Sequence, residues 1–181
     1  MALNQELEWA QVGAISTGSG TVKDAFRGGH AEKTLLKQGT VLYKFNNDGS
    51  LTGYQGKISE WWQPYQALLH DAGWLQKLEM AKHFGISVRE WGRVTSAVKE
   101  NWNSLEHLLV ITLGIDVYGW FGGYSQMVRI DAGKDSKRNL NASGEARGSG
   151  VNLPGGGTQL YIPNLQPTYI SNWRTESLKD K

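Results

Sequence analysis

The residues best suited to chemistry lie between Gly155 and Gln159, where three consecutive glycines precede a polar amide. Consecutive glycines lose much backbone entropy on ordering, so folded proteins keep them where φ is positive or where a ligand approaches the main chain. Gln159 is the second residue of a short run, Thr158 to Ile162, whose composition predicts a strand. Its amide can orient a ligand but supplies no negative charge. The pattern predicts a ligand-binding loop, and the alternative is a hairpin loop with a solvent-facing glutamine.

Aromatic residues form a second candidate group. Trp61 and Trp62 are adjacent, so on a strand or a helix they point in different directions, and one of them should be exposed or line a cleft. Trp120, Phe121 and Tyr124 are candidates for the same aromatic wall, with ordinary core packing as the alternative.

Three segments carry a resemblance to a known family. Residues 154–161, Pro-Gly-Gly-Gly-Thr-Gln-Leu-Tyr, resemble the segment with the key glutamine of the TNT-type (necrotizing-toxin) NAD glycohydrolases, which are related to ADP-ribosyltransferase toxins. Residues 41–45, followed by Asp48 and Gly49, are similar to the first strand and turn of such folds, and residues 119–126 resemble a middle motif. The resemblance spans residues 40–163. Lys44 stands where the family has an arginine.

The resemblance implies cleavage of the bond between nicotinamide and ribose in NAD. That reaction passes through an oxocarbenium-like centre, which an enzyme can assist by fixing the ribose hydroxyls. It implies two catalytic residues, Gln159 and Gln126, and places Lys44 at the diphosphate, with Arg27 and Arg129 as alternatives. The other implied NAD-binding residues are Tyr43, Trp120, Phe121, Tyr124, Ser125, Gly155, Gly156 and Gly157.

Transferase relatives typically carry a glutamate at the position of Gln159, so the glutamine favours water as the acceptor. The expected products are nicotinamide and ADP-ribose, and ADP-ribosyl transfer to a macromolecule is the alternative. A different class also stays open: eight tryptophans and 23 glycines suit a non-enzymatic carbohydrate-binding module or a phage structural protein.

Composition limits the partners. A formal charge of +2, with dispersed basic residues, argues against nucleic acid. The longest apolar stretch, Leu108 to Leu113, is far below the roughly 20 residues that span a bilayer, so no membrane association is expected. Four histidines without metal-ligand spacing and no cysteine predict no metal site. NAD is the only small molecule expected, and the resemblance adds a neutralising immunity protein as a partner.

The N-terminal residues 1–11 lack the features of a secretory signal, so we expect a soluble protein, either cytoplasmic or a bacterial effector delivered by another route.

The strands and helices that must position these residues alternate irregularly along the chain, which predicts an α+β fold. We expect one compact domain with a small mixed or antiparallel sheet flanked by helices. By resemblance, the fold is ADP-ribosyltransferase-like. Residues 40–46 and 107–115 read as strands, the latter central. A capping box at Ser87 begins a helix that reaches Trp102, and a broken helix starts at Ser59. The predicted organisation is an irregular lead-in (1–38), a catalytic domain (39–165) and a tail (166–181).

Overall fold

The computed structural model describes residues 1–17, 20–98, 103–128, 152–153 and 155–179. The helices in these ranges are α1 (Trp9–Val12), α2 (Trp74–His83) and α3 (Val88–Thr95). The strands are β1 (Glu32–Leu36), β2 (Val41–Asn46), β3 (Trp61–Pro64), β4 (His107–Leu113), β5 (Val117–Gly123), β6 (Met127–Val128), β7 (Asn152–Leu153), β8 (Thr158–Tyr161) and β9 (Ile170–Ser177).

Within the described ranges, seven strands form one sheet in the order β1-β5-β8-β3-β2-β4-β9, and β6 pairs with β7 separately. Each pairing between neighbouring strands of the large sheet is antiparallel. The fold is therefore α+β, and the sheet is the antiparallel one of the two predicted forms. None of the helices described is long and apolar enough to cross a bilayer.

The two faces of the sheet bury different side chains because strand residues alternate in direction. We call one the Trp62 face, with the buried residues Leu42, Trp62, Leu109, Phe121 and Leu160. The opposite one is the Tyr43 face. Its strand residues are Tyr43, Phe45 and Val110, which pack against α2 and α3, and Trp120 and Tyr161, which pack beside Phe26.

Helix α3 begins as predicted, since the Ser87 side chain accepts a hydrogen bond from the Glu90 N–H at 3.1 Å. It ends at Thr95 rather than continuing toward Trp102, because Ala97 has a φ of 49°, which a right-handed helix does not accommodate. Residues 99–102 lie outside the described ranges.

The predicted broken helix from Ser59 is wrong in its first half, which forms strand β3. Trp62 is fully buried there, and Trp61 and Trp62 lie opposite Tyr161 and Leu160 of β8. Burial against two neighbouring strands decides the conformation, and α2 starts only at Trp74.

The sheet also runs through both segments expected outside the catalytic domain. Strand β1 lies in the predicted lead-in and pairs with β5, while β9 lies in the predicted tail and pairs with β4. Both are edge strands of the large sheet; most side chains of β9 are exposed, and in β1 Leu36 is the buried one. They carry little of the hydrophobic alternation by which strands are recognised.

Candidate functional site

The triple glycine packs tightly at its ends and lies open at its centre. The Gly155 N–H donates to the Val94 carbonyl at 3.2 Å and the Gly157 N–H to the Thr95 carbonyl at 2.9 Å, so both rest on the end of α3. A Cβ on Gly157 would lie 2.9 Å from the Thr95 oxygen, and Gly155 has a φ of 71°. A Cβ on Gly156 would meet nothing within 4 Å. Only at Gly156 is the main chain open to an approaching ligand.

Gln159 lies on the Tyr43 face and is only 3% exposed. Its Nε2 donates to the Ala25 carbonyl at 2.7 Å. The same carbonyl accepts the Ser125 N–H at 3.0 Å. No described residue donates to the Gln159 Oε1, so this oxygen can accept a hydrogen bond from a ligand hydroxyl. Its burial excludes the solvent-facing alternative.

Arg27 reaches the Gly157 end of this group from the Trp62 face of the sheet, because Gly123, on which it packs, pairs with Thr158 and not with Gln159. It is exposed and packs on Gly123, where an added Cβ would lie 3.9 Å from the Arg27 Nε and 3.9 Å from the Gly157 oxygen. Tyr124 completes the group, because its N–H donates to the Gly157 carbonyl at 3.1 Å. Arg129 lies outside the described residues. We call Arg27, Tyr124, Ser125, Gly155 to Gly157 and Gln159 the glutamine site.

The structure does not bring every predicted residue to the glutamine site. Lys44 follows Tyr43 on β2, so its side chain lies on the Trp62 face, opposite to Gln159. Trp120 and Phe121 are buried on opposite faces of the sheet, so they belong to the core and not to one aromatic wall. Gln126 is exposed and directly follows Ser125 of the glutamine site in the sequence.

Trp61 is the tryptophan that lines a cleft, as the adjacent pair predicted, while Trp62 is 1% exposed. The cleft is a groove of about 710 Å³ between the segment before β3 and residues 164–168. Trp61 also packs against Phe26 at 5.8 Å between ring centroids, next to Ala25. Through Phe26, the groove is connected to Ala25, whose carbonyl accepts the Gln159 amide.

Tyr43 belongs to a buried polar network on the face that carries Gln159. Its hydroxyl donates to the Gln63 Oε1 at 2.9 Å, and the Gln63 Nε2 donates to the Ser96 Oγ at 3.0 Å. Burial, reinforced by Tyr124 and Asp71, raises the pKa of Tyr43 well above its usual value, so the phenol stays protonated. Because its hydroxyl is already engaged, Tyr43 has a positioning role at most.

Asp71, which sequence reasoning missed, joins this network to the start of β8. Its buried carboxylate accepts hydrogen bonds from the Lys77 Nζ at 2.7 Å, from the Gly73 N–H at 2.8 Å and from the Thr158 hydroxyl. Burial lowers the pKa of Lys77, and the Asp71 carboxylate opposes that shift. Through Thr158, the ion pair fixes the residue that precedes Gln159.

The described part of the chain holds no cluster of three or more potential metal ligands.

Lys44 lies on the Trp62 face, where its amine is partly withdrawn from water. Its Nζ lies 6.0 Å from the centre of the Trp62 ring, and it has no hydrogen bond or ion pair to any residue described. Burial lowers its pKa from 10.5 to about 8.

We predict that Lys44→Met removes a pH dependence from folding. Between pH 8 and 10.5 the unfolded chain still holds the Lys44 proton that the folded chain has released, so the free energy of unfolding rises with pH across that window. The shift corresponds to at most about 3 kcal/mol. Urea unfolding near pH 7 and near pH 10 should show this rise in the wild type and a smaller rise in Lys44→Met. Lys37→Met, which removes an exposed lysine, is the control, and an equal pH dependence in all three proteins contradicts the prediction.

Comparison of the chain with family models, with curated proteins and with solved structures found no match. The function is therefore inferred from the site itself.

Proposed function

We propose that the glutamine site binds NAD and cleaves the bond between nicotinamide and ribose. One observation carries the proposal: the Ala25 carbonyl accepts hydrogen bonds from both the Gln159 amide and the Ser125 N–H, which leaves the Gln159 Oε1 as a fixed acceptor. The open Gly156 lies three residues before Gln159, and Arg27 lies near Gly157 on the other side of the sheet. A fixed acceptor and a cation along one loop suit a ligand long enough to carry both hydroxyl and phosphate groups.

Each group has a separate task. The Gln159 Oε1 accepts a hydrogen bond from a ribose hydroxyl and holds the sugar while the glycosidic bond breaks. Arg27 contacts the diphosphate, where its planar fork offers the paired hydrogen bonds that Lys44 was expected to approximate with a point charge. Gly156 lets the ligand approach the main chain. The groove beside Trp61, at about 710 Å³, has the volume of a ligand site and an aromatic side for a planar ring.

The reaction balances with water as the only co-reactant. Nicotinamide leaves with the electron pair of the glycosidic bond, the ribose carbon becomes oxocarbenium-like, and water adds there and loses a proton. Gln159 is neutral and cannot act as a base, so it assists by orientation alone. This agrees with hydrolysis rather than transfer, because an acceptor other than water would need activation.

The ADP-ribosyltransferase-like fold is part of the proposal. Its support is an antiparallel sheet in which β8, with Gln159, pairs with β3 and β5 while β2 lies one strand further. A neutralising partner protein remains an expectation from the resemblance.

The test is incubation of the purified wild-type protein with NAD labelled in the adenine ring, alone and with cell lysate. We expect nicotinamide and free labelled ADP-ribose in equal amounts in both samples. Label on protein or nucleic acid would replace hydrolysis with transfer, and intact NAD in both samples would overturn the proposal.

Arg27→Gln should weaken NAD binding, whereas Arg174→Gln, on the edge strand β9, should not.

A further inference from the structure

A second cavity, separate from the glutamine site, opens on the Trp62 face. It has a volume of about 390 Å³ and lies between β2 and residues 46–59. Leu109 and Ile58, both buried, contribute apolar walls. Two lysines, Lys44 and Lys57, line the same space. The chemistry open to this cavity depends on how those two amines are held.

Lys44 lacks the partner that a structural cation would have. It is half-buried, an ammonium withdrawn from water normally has a carboxylate partner, and no described residue supplies one to its Nζ. Burial lowers the pKa of Lys44 to about 8, so a substantial fraction of the amine is neutral near physiological pH. Neutral amines in desolvated pockets are the ones that attack carbonyl carbons.

The other charged groups at the cavity favour an anionic ligand. Lys57 is exposed; its carbonyl accepts the Gly53 N–H at 2.8 Å, but its Nζ makes no hydrogen bond or ion pair to a described residue. The Asp48 carboxylate lines the rim but accepts the Ser50 N–H at 2.9 Å within its own turn. His107 faces this region from β4, opposite Asn46, and the hydrogen bond from the Ser50 backbone lowers the pKa of Asp48. Lys57 is left to bind a carboxylate from solution.

We propose that Lys44 forms an imine with a small 2-oxo acid whose carboxylate binds Lys57. The neutral Nζ attacks the ketone carbon, the carbinolamine loses its oxygen as water, and a C=N bond replaces the C=O bond. No oxidant or reductant is consumed. The cavity lies on the sheet face opposite to Gln159, so this reactivity does not depend on NAD cleavage.

The test traps the imine in the wild-type protein. The protein is incubated with pyruvate and sodium cyanoborohydride, which reduces the C=N bond to a stable secondary amine, and labelled lysines are located by peptide mass spectrometry. We expect Lys44 to be labelled at least about tenfold faster than the exposed Lys37 at the same pH. Equal rates at the two lysines overturn the proposal.

Acetaldehyde, which lacks a carboxylate, tests the role of Lys57. The selectivity for Lys44 over Lys37 should be greater with pyruvate than with acetaldehyde, and folded Lys57→Gln should lose that difference. If Lys57→Gln keeps it, the assignment of the carboxylate to Lys57 is wrong. Lys44→Met should give no adduct at position 44 and the wild-type yield at Lys37.

Discussion

Gln159→Ala should lower the rate of NAD cleavage by about 100- to 1000-fold, which corresponds to roughly 3 to 4 kcal/mol of transition-state stabilisation. The substitution removes the acceptor that the Ala25 carbonyl holds in place, and no other side chain of the glutamine site offers a similarly fixed amide oxygen. The measurement is nicotinamide release under saturating NAD. Gln38→Ala, in the exposed turn between β1 and β2, is the matched control and should keep the wild-type rate.

The loss must be separated from unfolding, because Gln159 is buried. Without its amide, the Ala25 carbonyl keeps the Ser125 donor, so the free energy of unfolding should fall by only about 1 kcal/mol. Denaturant titration of Gln159→Ala checks this. Wild-type turnover by a folded Gln159→Ala protein would remove Gln159 from the mechanism.

Gln159→Glu keeps the size and shape of the side chain but replaces the amide donor with a carboxylate oxygen. It would point a carboxylate oxygen at the Ala25 carbonyl in place of a donor, so two acceptors would face each other. We therefore expect Gln159→Glu to turn over NAD more slowly than the wild type at neutral pH.

Asp71→Ala should be the most destabilising single change at the site, with a loss of about 3 to 5 kcal/mol in the free energy of unfolding. It leaves the Lys77 ammonium, the Gly73 N–H and the Thr158 hydroxyl without their shared acceptor in a buried place. Urea unfolding near pH 7 measures the loss.

Asp116→Ala is the control for Asp71→Ala. Asp116 accepts the Lys37 Nζ at 3.0 Å and the Gln38 N–H at 2.8 Å, but both bonds are exposed and screened by solvent, so we expect a much smaller loss than in Asp71→Ala. Equal losses in the two variants would mean that the Asp71 network contributes no more than a surface contact.

The sequence predicted the parts of the fold that burial dictates locally. Strand β4 is apolar along most of its length, and α3 begins at a capping box, so both were recognised. The edge strands β1 and β9 were missed because few of their side chains are buried, so they show no hydrophobic alternation. Strand β3 was missed because its two tryptophans suit a helix equally well until pairing with β8 decides the matter.

In the candidate site, too, some residues could be predicted from the sequence and others could not. The triple glycine and Gln159 stand out in the sequence because their composition is locally unusual. Asp71 is 87 residues from Thr158, so no local pattern reports their contact. Arg27 and Lys44 were indistinguishable as phosphate ligands in the sequence. Both lie on the Trp62 face, and it is the packing of Arg27 on Gly123 that brings it near Gly157.

The most direct measurement is an NMR titration of the ¹⁵N-labelled wild-type protein with a non-cleavable NAD analogue. Site binding predicts that the side-chain NH₂ signal of Gln159 and the backbone amide signals of Gly156 and Gly157 shift together and saturate at one ligand per chain. Saturable shifts confined to residues around the Lys44 cavity, or no saturable shift at all, would contradict NAD binding at the glutamine site.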